Sequence, residues 1–530
     1  MSGSGPHADS SEAPTAAAPL ERGQAAVLLC SIFLVALCGI AYELIIGTVS
    51  SYLVGDSVYQ FSVTIGLFMF AMGVGSYLTK RVEHDLLGVF VRIEIVLAAV
   101  GGVSGVLLFM VFPFYALYQP TMYTLIIVVG ALVGAEIPLL TRMLASRESL
   151  QDSIANVLSL DYVGALVGSV SFPLLLLPSL GLFRASFAIG LLNAAVALVN
   201  VLLFKNLERR GRLLAGSVGV TVFLVLLTVF STAITRYAEG QLFYDRIVYR
   251  VHTPYQRVVL TQNELDGEIR LFLDGHIQFA AHDEYRYHEA LVHPAMSAPG
   301  PRARVLVLGG GDGLAARELL KYPDVERIDL VDIDAAVTAL SRENAILAGI
   351  NEHSMDDPRV VVHNTDAFGY VRETDQRWDR VIIDLPDPHN EVLTKLYSKE
   401  FYVMLRSRLE PHAVIVAQSS SPFHTPQVFW GIGRTMEAAG FHPYAYQIMV
   451  PAFGQWGFQI AGVSGEPPHT FDFSGLDLHF LSNEVMQAAQ VFAVDEQAPP
   501  DTRVNSIFEP TLYHDYQARR RNMPTATTAY

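Results

Sequence analysis

The first half of the chain is a series of long apolar stretches separated by short polar connections. Seven such stretches cover residues 24–50, 58–79, 87–112, 121–141, 154–178, 181–204 and 213–234. Each is near or above the ~20 residues that a helix needs to cross a bilayer, and seven in series have no explanation in a soluble core. The pattern predicts a transmembrane domain of about seven helices over 24–234. The Ser-, Ala- and Pro-rich tail at 1–20 is typical of disorder.

In the second half the pattern changes to short β-branched runs separated by turn residues. Between 240 and 295 these runs predict a small β-domain. Over 300–495, short apolar strands alternate with predicted helices such as Ala335–Ala348 and Ser398–Leu409. This βαβ rhythm is typical of a doubly wound, Rossmann-like α/β domain. The C-terminal tail, 496–530, is Pro-rich and then basic, and we expect it to pack loosely or not at all.

Composition excludes several classes of protein. Half of the chain (51%) is hydrophobic, 17% is charged and the mean hydropathy is +0.33, whereas a soluble globular chain carries about 25% charge. The net charge of −16 argues against a nucleic-acid partner, whose binding would depend on phosphate neutralisation. Both cysteines, Cys30 and Cys38, lie in one apolar run, which leaves no disulfide framework and no Cys-rich zinc site.

Acidic residues end four successive strands of the predicted α/β domain. In chain order these are Asp312 after the turn Gly309–Gly311, then Asp332 with Asp334, then Asp366, and finally Asp384 with Asp387. Ligands of a parallel sheet bind beyond the carboxyl ends of its strands. The turn lacks the third glycine of a dinucleotide fingerprint, and Asp312 would repel a pyrophosphate. Asp332 lies where an acidic residue accepts hydrogen bonds from ribose hydroxyls. A cationic nucleoside ligand explains this pattern better than chance does.

Several segments in the second half carry a resemblance to a known family. They are TPYQRVVLT (253–261), LDGHIQFAAHDEYRYHEALVHP (273–294), VLVLGGGDGLAAREL (305–319), VDID (331–334), NTDAF (364–368), IDLPDP (383–388) and LYSKEFY (396–402). On these motifs residues 246–462 resemble spermidine synthase, the polyamine aminopropyltransferase family. The whole chain resembles its bacterial subgroup with a multi-spanning domain before the synthase. The resemblance implies a small β-domain, then a Rossmann-like, class I methyltransferase-type domain, in a homodimer.

The resemblance also implies a reaction and a set of site residues. The aminopropyl group of decarboxylated S-adenosylmethionine, a co-substrate, is transferred to putrescine, giving spermidine and methylthioadenosine without a further cofactor or a metal. By this resemblance Asp384 is the catalytic aspartate, the donor is held by Gln256, Gln278, Gly309, Gly311, Asp312, Asp332 and Asp366, and the acceptor by Tyr287, His288 and Asp387. The residues themselves agree, because a donor without a carboxylate suits Asp312, and a protonated amine needs a carboxylate to take its proton before attack.

The match departs from the family pattern on the acceptor side. Leu385–Asn390 replaces the usual Ser-Ser-Asp-Pro and Gly-Pro, and Phe453 in the segment 450–458 stands in a motif that usually contains tyrosine. These differences leave the acceptor open between putrescine and another amine, such as spermidine, cadaverine or an agmatine-like compound. Two other functions also remain: a methyltransferase on the same fold, which Asp312 disfavours, and a polyamine sensor or transporter whose second half only binds ligand.

The basic residues of the first half predict its orientation in a cell membrane. They gather in alternate connections, near residues 80, 142 and 205–212, which the positive-inside rule puts in the cytoplasm together with the N-terminus. Seven crossings would then leave everything after 234 outside the cell. The expected co-substrate is cytosolic, so we also expect the catalytic domain on the cytoplasmic face. These two expectations conflict, and 154–178 is the weakest of the seven stretches.

Two carboxylates inside the apolar stretches raise a separate hypothesis. Glu43 lies in the first stretch and Glu136 in the fourth. Charged groups in a bilayer are costly and are functional candidates by default. The pair predicts polyamine binding or passage, against the simpler alternatives of a buried polar contact and of helices that only anchor the synthase.

Overall fold

The computed structural model describes residues 22–54, 57–145, 149–240 and 243–522. The chain divides into two compact units, with the boundary between Tyr244 and Asp245. The tail predicted at 1–20 lies outside the described residues.

The described part of the first unit is helical. Its helices are α1 (Arg22–Val54), α2 (Ser57–Leu78), α3 (Leu86–Val111), α4 (Tyr115–Leu144), α5 (Leu150–Ser171), α6 (Leu177–Leu203), α7 (Arg210–Val229) and α8 (Ser231–Gly240). A π turn, Phe172–Leu176, joins α5 to α6. Six stretches are long and apolar enough to cross a membrane, and the longest, Leu150–Leu203, has 54 residues.

That longest stretch is two passes of the chain rather than one rod. Gly181, with φ 73° and ψ 172°, interrupts the helical backbone. Before this break Gly168 lies against Leu37 of α1, and after it the carbonyl of Ile189 accepts a hydrogen bond from Cys38 of α1 at 3.8 Å. The chain must therefore turn back between 168 and 189. Counted this way, the described residues of the first unit make seven long helical passes.

The second unit begins with a small antiparallel sheet. Its four strands, paired in chain order, are β1 (Arg246–His252), β2 (Arg257–Gln262), β3 (Ile269–Leu273) and β4 (His276–Ala280). The α/β part follows and consists of α9 (Glu284–Ser297), β5 (Arg304–Gly309), α10 (Leu314–Leu320), β6 (Arg327–Asp332), α11 (Ala335–Glu343), α12 (Ala345–Ile350), β7 (Val360–Asn364), α13 (Ala367–Glu373), β8 (Trp378–Asp384), α14 (Glu391–Thr394), α15 (Lys399–Arg406), β9 (Leu409–Gln418), α16 (Pro426–Ala438), β10 (His442–Val450), β11 (Gly454–Gly462), α17 (Asn483–Ala489) and α18 (Thr511–Asn522).

The large sheet is mixed and has the order β10-β11-β9-β8-β5-β6-β7. Strands β5 to β9 are parallel, and β11 runs antiparallel to its two neighbours. Strand β5 lies in the middle of the five parallel strands, so the chain proceeds to one side through β6 and β7 and to the other through β8 and β9. This arrangement confirms the Rossmann-like prediction. Its switch point, where a ligand crevice opens, lies at the carboxyl end of β5.

Both faces of the large sheet are covered by core. Val305 and Val307 of β5 pack on one side, and Leu306 and Leu308 pack on the other. Continuous apolar strands of this kind belong to a parallel sheet buried on both faces. The carboxyl ends of the strands therefore emerge from a rigid support.

Two local predictions need correction. The helix predicted over Ala335–Ala348 is broken, because the side chain of Asn344 caps a second helix by accepting hydrogen bonds from its first turn. The expectation of a loosely packed C-terminal tail is wrong for residues 496–522. Asn505 and Leu512 are fully buried, and α18 packs on α16.

Candidate active site

A glycine turn after β5 brings three strand ends together. Gly309 has φ +80°, and a Cβ there would lie 2.0 Å from the carbonyl oxygen of Asp384. A Cβ on Gly311 would lie 2.4 Å from Oδ2 of Asp332, which accepts a 3.1 Å hydrogen bond from the Gly311 N–H. Only glycine fits both positions. The ends of β5, β6 and β8 thus form one continuous edge.

The predicted donor side is built around the end of β6. Asp332 accepts a 2.8 Å hydrogen bond from the Asp334 N–H, and burial with the nearby charge of Asp334 raises the pKa of Asp332 to about 6. Gln256 reaches this edge from the small sheet and donates to Asp334 at 3.1 Å. Asp334, which our list of expected site residues omitted, therefore links the two sheets.

Two other predicted donor residues, Gln278 and Asp366, form local hydrogen bonds. Gln278 donates to the carbonyl of His276 on its own strand at 3.1 Å. Asp366 follows β7, accepts from the Gly369 N–H at 2.9 Å as a helix cap, and lies 3.8 Å from the Lys395 ammonium. Capping explains this aspartate locally, so a ligand role for Asp366 rests on its place at the strand end.

The end of β8 carries the densest chemistry. The Tyr287 hydroxyl, on α9, donates a 2.6 Å hydrogen bond to Oδ1 of Asp384. His288, the next residue on α9, lies with Asp312 and Asp384 in a cluster whose ligand atoms are all within 4.8 Å of one another. These three residues are far apart in the sequence, and the resemblance assigned them separately to the donor, the catalytic step and the acceptor. Two carboxylates at this distance can hold a cation.

The pKa values of this cluster are shifted by burial and by ion pairs that involve Glu284. Burial raises the pKa of Asp312 to about 6, with His288 opposing the shift, and burial also raises the pKa of Asp384. Burial alone would lower the pKa of His288, but a 2.8 Å contact with Glu284 and the charges of Asp312 and Asp384 raise it to about 9. Glu284 is in turn held by Arg317 at 2.7 Å. His288 is therefore protonated at neutral pH.

Asp387, three residues after Asp384 and directly after Pro386, lies in a separate group of polar side chains. It accepts a 3.1 Å hydrogen bond from Ser420 and a 3.5 Å one from Gln418, and the Tyr516 side chain also bonds to it. Burial nevertheless raises the pKa of Asp387 to about 6. Gln418 also donates to the Tyr397 hydroxyl at 2.7 Å, which ties the loop to the end of β9.

Sequence reasoning missed these supporting residues for different reasons. Gln418 ends β9, so the rule applied to the four preceding strand ends would have found it. Tyr516 lies on α18, in the segment that we expected to pack loosely. Glu284 and Arg317 lie 33 residues apart and carry no local signal.

Aromatic rings form one wall beside the catalytic candidate. The Tyr287 ring contacts Phe453 edge-on, with centroids 5.9 Å apart, and Phe458 at 5.5 Å. Phe453 belongs to the segment that departs from the family pattern. This departure therefore lies against the tyrosine that holds Asp384.

Comparisons with known proteins point to one family. Residues 284–473 match the family model described as the spermine/spermidine synthase domain. The chain is 43% identical over 498 residues to the polyamine aminopropyltransferase of Leptospira interrogans, covering 93% of this chain and 99% of that one. Polyamine aminopropyltransferase 1 of Streptomyces coelicolor is 42% identical over 512 residues, covering 94% and 96% of the two chains. A solved spermidine synthase from Thermotoga maritima is 28% identical, covers 47% of this chain and 85% of its own, and has a TM-score of 0.43.

Proposed function

This chain belongs to the polyamine aminopropyltransferase family of transferases, and we propose that it transfers the aminopropyl group of decarboxylated S-adenosylmethionine to putrescine, giving spermidine and methylthioadenosine. The observation that carries the choice of substrates is the cluster of His288, Asp312 and Asp384 at the switch point of the sheet. Both substrates are cations, and the carboxylates of this crevice outnumber its one imidazolium. A cationic pair of substrates therefore complements the site.

The donor is held along the edge formed by β5 and β6. Asp332 accepts hydrogen bonds from the ribose hydroxyls, and Asp366 accepts one from the adenine amino group. The backbone of Gly309 and Gly311 lets the donor approach closely. Asp312 binds the amine of the aminopropyl group, where ordinary S-adenosylmethionine would place a repelled carboxylate beside it. Gln256 and Gln278 contact the donor from the small antiparallel sheet.

The acceptor lies between Asp384 and Asp387. Asp387 binds one ammonium group of putrescine, and Asp384 takes a proton from the other, whose nitrogen then has a lone pair. That pair forms a bond to the carbon next to sulfur, the carbon–sulfur bond breaks with its electrons going to sulfur, and neutral methylthioadenosine leaves. Tyr287 orients the Asp384 carboxylate through their 2.6 Å hydrogen bond. The positive charge of protonated His288 favours the ionised forms of Asp312 and Asp384.

We assign the cluster to an amine rather than to a metal ion. Glu284 and its neighbours raise the pKa of His288 to about 9 against the effect of burial, so a metal ion would have to displace a proton that these acidic groups hold. The sulfonium is already a good leaving group, so the proposed reaction needs no metal and no further cofactor.

We also propose that the first unit lies in the cell membrane and that the catalytic unit faces the cytoplasm, where the donor is made. The six long apolar stretches support the membrane assignment. With seven passes, a cytoplasmic catalytic unit puts the basic connections near 80, 142 and 205–212 outside, against the positive-inside rule. Thiol labelling of single cysteines at positions 208 and 266 in spheroplasts decides the orientation. Labelling of 266 but not 208 from outside would overturn our placement.

We further propose that the protein is a homodimer, which light scattering of the purified protein would test.

The reaction is tested with purified full-length protein, decarboxylated donor and a panel of amines, following methylthioadenosine by mass spectrometry. We expect product with putrescine, and a loss of about 10²–10⁴-fold in kcat for Asp384→Asn with methylthioadenosine affinity kept. Asp375→Asn, an exposed aspartate on the same unit, is the matched control. Product with no amine would refute the proposal, and methyl transfer from S-adenosylmethionine would favour the methyltransferase instead.

A further inference from the structure

We propose that Glu94 and Glu136 form a second amine site, inside the first unit, where a protonated amine replaces a proton that the two carboxyl groups share. Glu94 lies on α3 and is 0% exposed, and Glu136 lies on α4 and is 1% exposed. The two carboxyl groups are close enough to interact electrostatically. Two buried carboxylates that face each other without a cation repel, so at least one of the pair must carry a proton. The pair therefore already holds one exchangeable cation.

These carboxyl groups lack any other compensation among the described residues. None of their four oxygens has a hydrogen-bond partner there. None of the described arginine, lysine and histidine side chains forms an ion pair with either glutamate. A buried carboxylate without a cation is costly, and more so in a bilayer. The pair is thus an incomplete site rather than a structural ion pair.

Unpaired neutral groups at the same level supply the independent observation. The Tyr42 hydroxyl on α1 is fully buried, has no hydrogen-bond partner among the described residues and is close enough to interact electrostatically with both glutamates. Asn193 on α6 is also fully buried, and within the described part of the chain neither its amide oxygen nor its amide nitrogen forms a hydrogen bond. On α6, Ile189 is hydrogen-bonded to Cys38 of α1, and Asn200 is hydrogen-bonded to Ser31 of α1. Asn193 lies between these two contacts and therefore beside the middle of α1.

The chemistry of these groups selects an ammonium ion as ligand. Two carboxyl groups, a phenol oxygen and an amide oxygen are acceptors for the several N–H donors of a protonated amine. Half-buried Asp161 on α5 interacts electrostatically with Glu136 and extends the acidic path toward the surface of the unit. The choice of an amine as the ligand rests on the proposed function, because the substrate amine of the second unit would also be the ligand of the first unit.

The sequence hypothesis named Glu43 and Glu136 as candidates, and the structure separates the two. Glu136 faces Glu94, a residue that the sequence hypothesis did not include. Glu43 follows Tyr42 on α1, and adjacent helical residues point about 100° apart. Glu43 is 8% exposed and does not share the interactions of the pair. It therefore provides a matched control.

The test counts amine sites on the full-length protein in detergent. Putrescine is titrated by calorimetry in two buffers of different ionisation enthalpy, so that released protons are counted with bound amines. We expect two amine sites per chain in the wild type, one of them releasing a proton. Glu94→Gln and Glu136→Gln should each lose that site and its proton while keeping transferase activity, whereas Glu43→Gln keeps both sites. Tyr42→Phe, a milder change, should weaken the second site about tenfold.

Each other result decides against the inference. A single amine site in the wild type, two sites that persist in Glu94→Gln, or the same proton release on adding sodium chloride alone would overturn it. Because transferase activity is measured on the same samples, an inactive wild type with two amine sites would refute the proposed reaction and leave the second site standing.

Discussion

Tyr287 donates a 2.6 Å hydrogen bond to Asp384 across a sequence separation of 97 residues. The bond joins α9 to the end of β8 and fixes the carboxylate that we propose as the base. A hydrogen bond to the ionised form lowers the pKa of Asp384, opposing the larger effect of burial. The tyrosine thus keeps a partly buried carboxylate available to accept a proton.

Tyr287→Phe should lower kcat/KM at neutral pH by roughly 10–100-fold, since a hydrogen bond to a charged group contributes about 1.5–3 kcal/mol. Without the bond the pKa of Asp384 rises, so the acid limb of the pH profile of kcat/KM should move to higher pH. Tyr446→Phe removes another buried hydroxyl, which donates to the carbonyl of Ala290 at 2.6 Å, and is the control. Identical pH profiles for the two variants would contradict the assigned role.

Gly311→Ala should weaken donor binding by roughly tenfold or more, equivalent to about 1.4 kcal/mol. The new Cβ would lie 2.4 Å from Oδ2 of Asp332, so that carboxylate must leave the position proposed for the ribose. Methylthioadenosine affinity, measured by calorimetry, reports the effect. Gly349→Ala on α12 meets no heavy atom within 4 Å and should bind as the wild type does. Equal affinity in both variants would remove Asp332 from the donor site.

His288→Gln should destabilise the second unit in a pH-dependent way. The pKa of His288 is raised to about 9, against the effect of burial, by Glu284 and the nearby aspartates, so its protonation stabilises the fold fully below about pH 6.5. That contribution is lost as the pH rises through 9. The free energy of unfolding of the wild type should exceed that of the variant by on the order of 3 kcal/mol more at pH 6 than at pH 10.

Tryptophan fluorescence during urea unfolding measures this difference in the second unit alone. All three tryptophans of the chain, Trp378, Trp430 and Trp456, lie there. A stability difference that stays constant between pH 6 and 10 would show that His288 contributes only packing.

Tyr516→Phe should raise the KM for putrescine roughly 10–100-fold, since a hydrogen bond to a charged group contributes about 1.5–3 kcal/mol. Tyr516 bonds to Asp387 and thereby opposes the effect of burial on the pKa of that carboxyl. Without it the pKa rises above about 6, and less of the proposed acceptor site is ionised at neutral pH. The KM for the donor should stay unchanged. Tyr513→Phe, on the same helix, is the control, and equal effects in both would point to α18 as a whole.

Much of the catalytic edge was predictable because local pattern determines strands and right-handed crossovers determine where their ends meet. Once β5, β6 and β8 are recognised as buried parallel strands, Asp312, Asp332 and Asp384 must share one edge. Family motifs added Tyr287, which the strand pattern does not reach. The spacing along the chain did not reveal that His288 joins this cluster, because α9 precedes the sheet.

Local patterns and short motifs predicted the apolar and α/β halves, the seven apolar stretches, the order of the acidic strand ends and the resemblance to a family, because each depends on neighbouring residues. The packing of whole helices was needed to show that Glu136 lies beside Glu94 and that Tyr516 returns to Asp387. These contacts join residues tens to hundreds of positions apart. They follow from how whole helices pack, and hydrophobic periodicity carries no information about which partner a buried polar group meets.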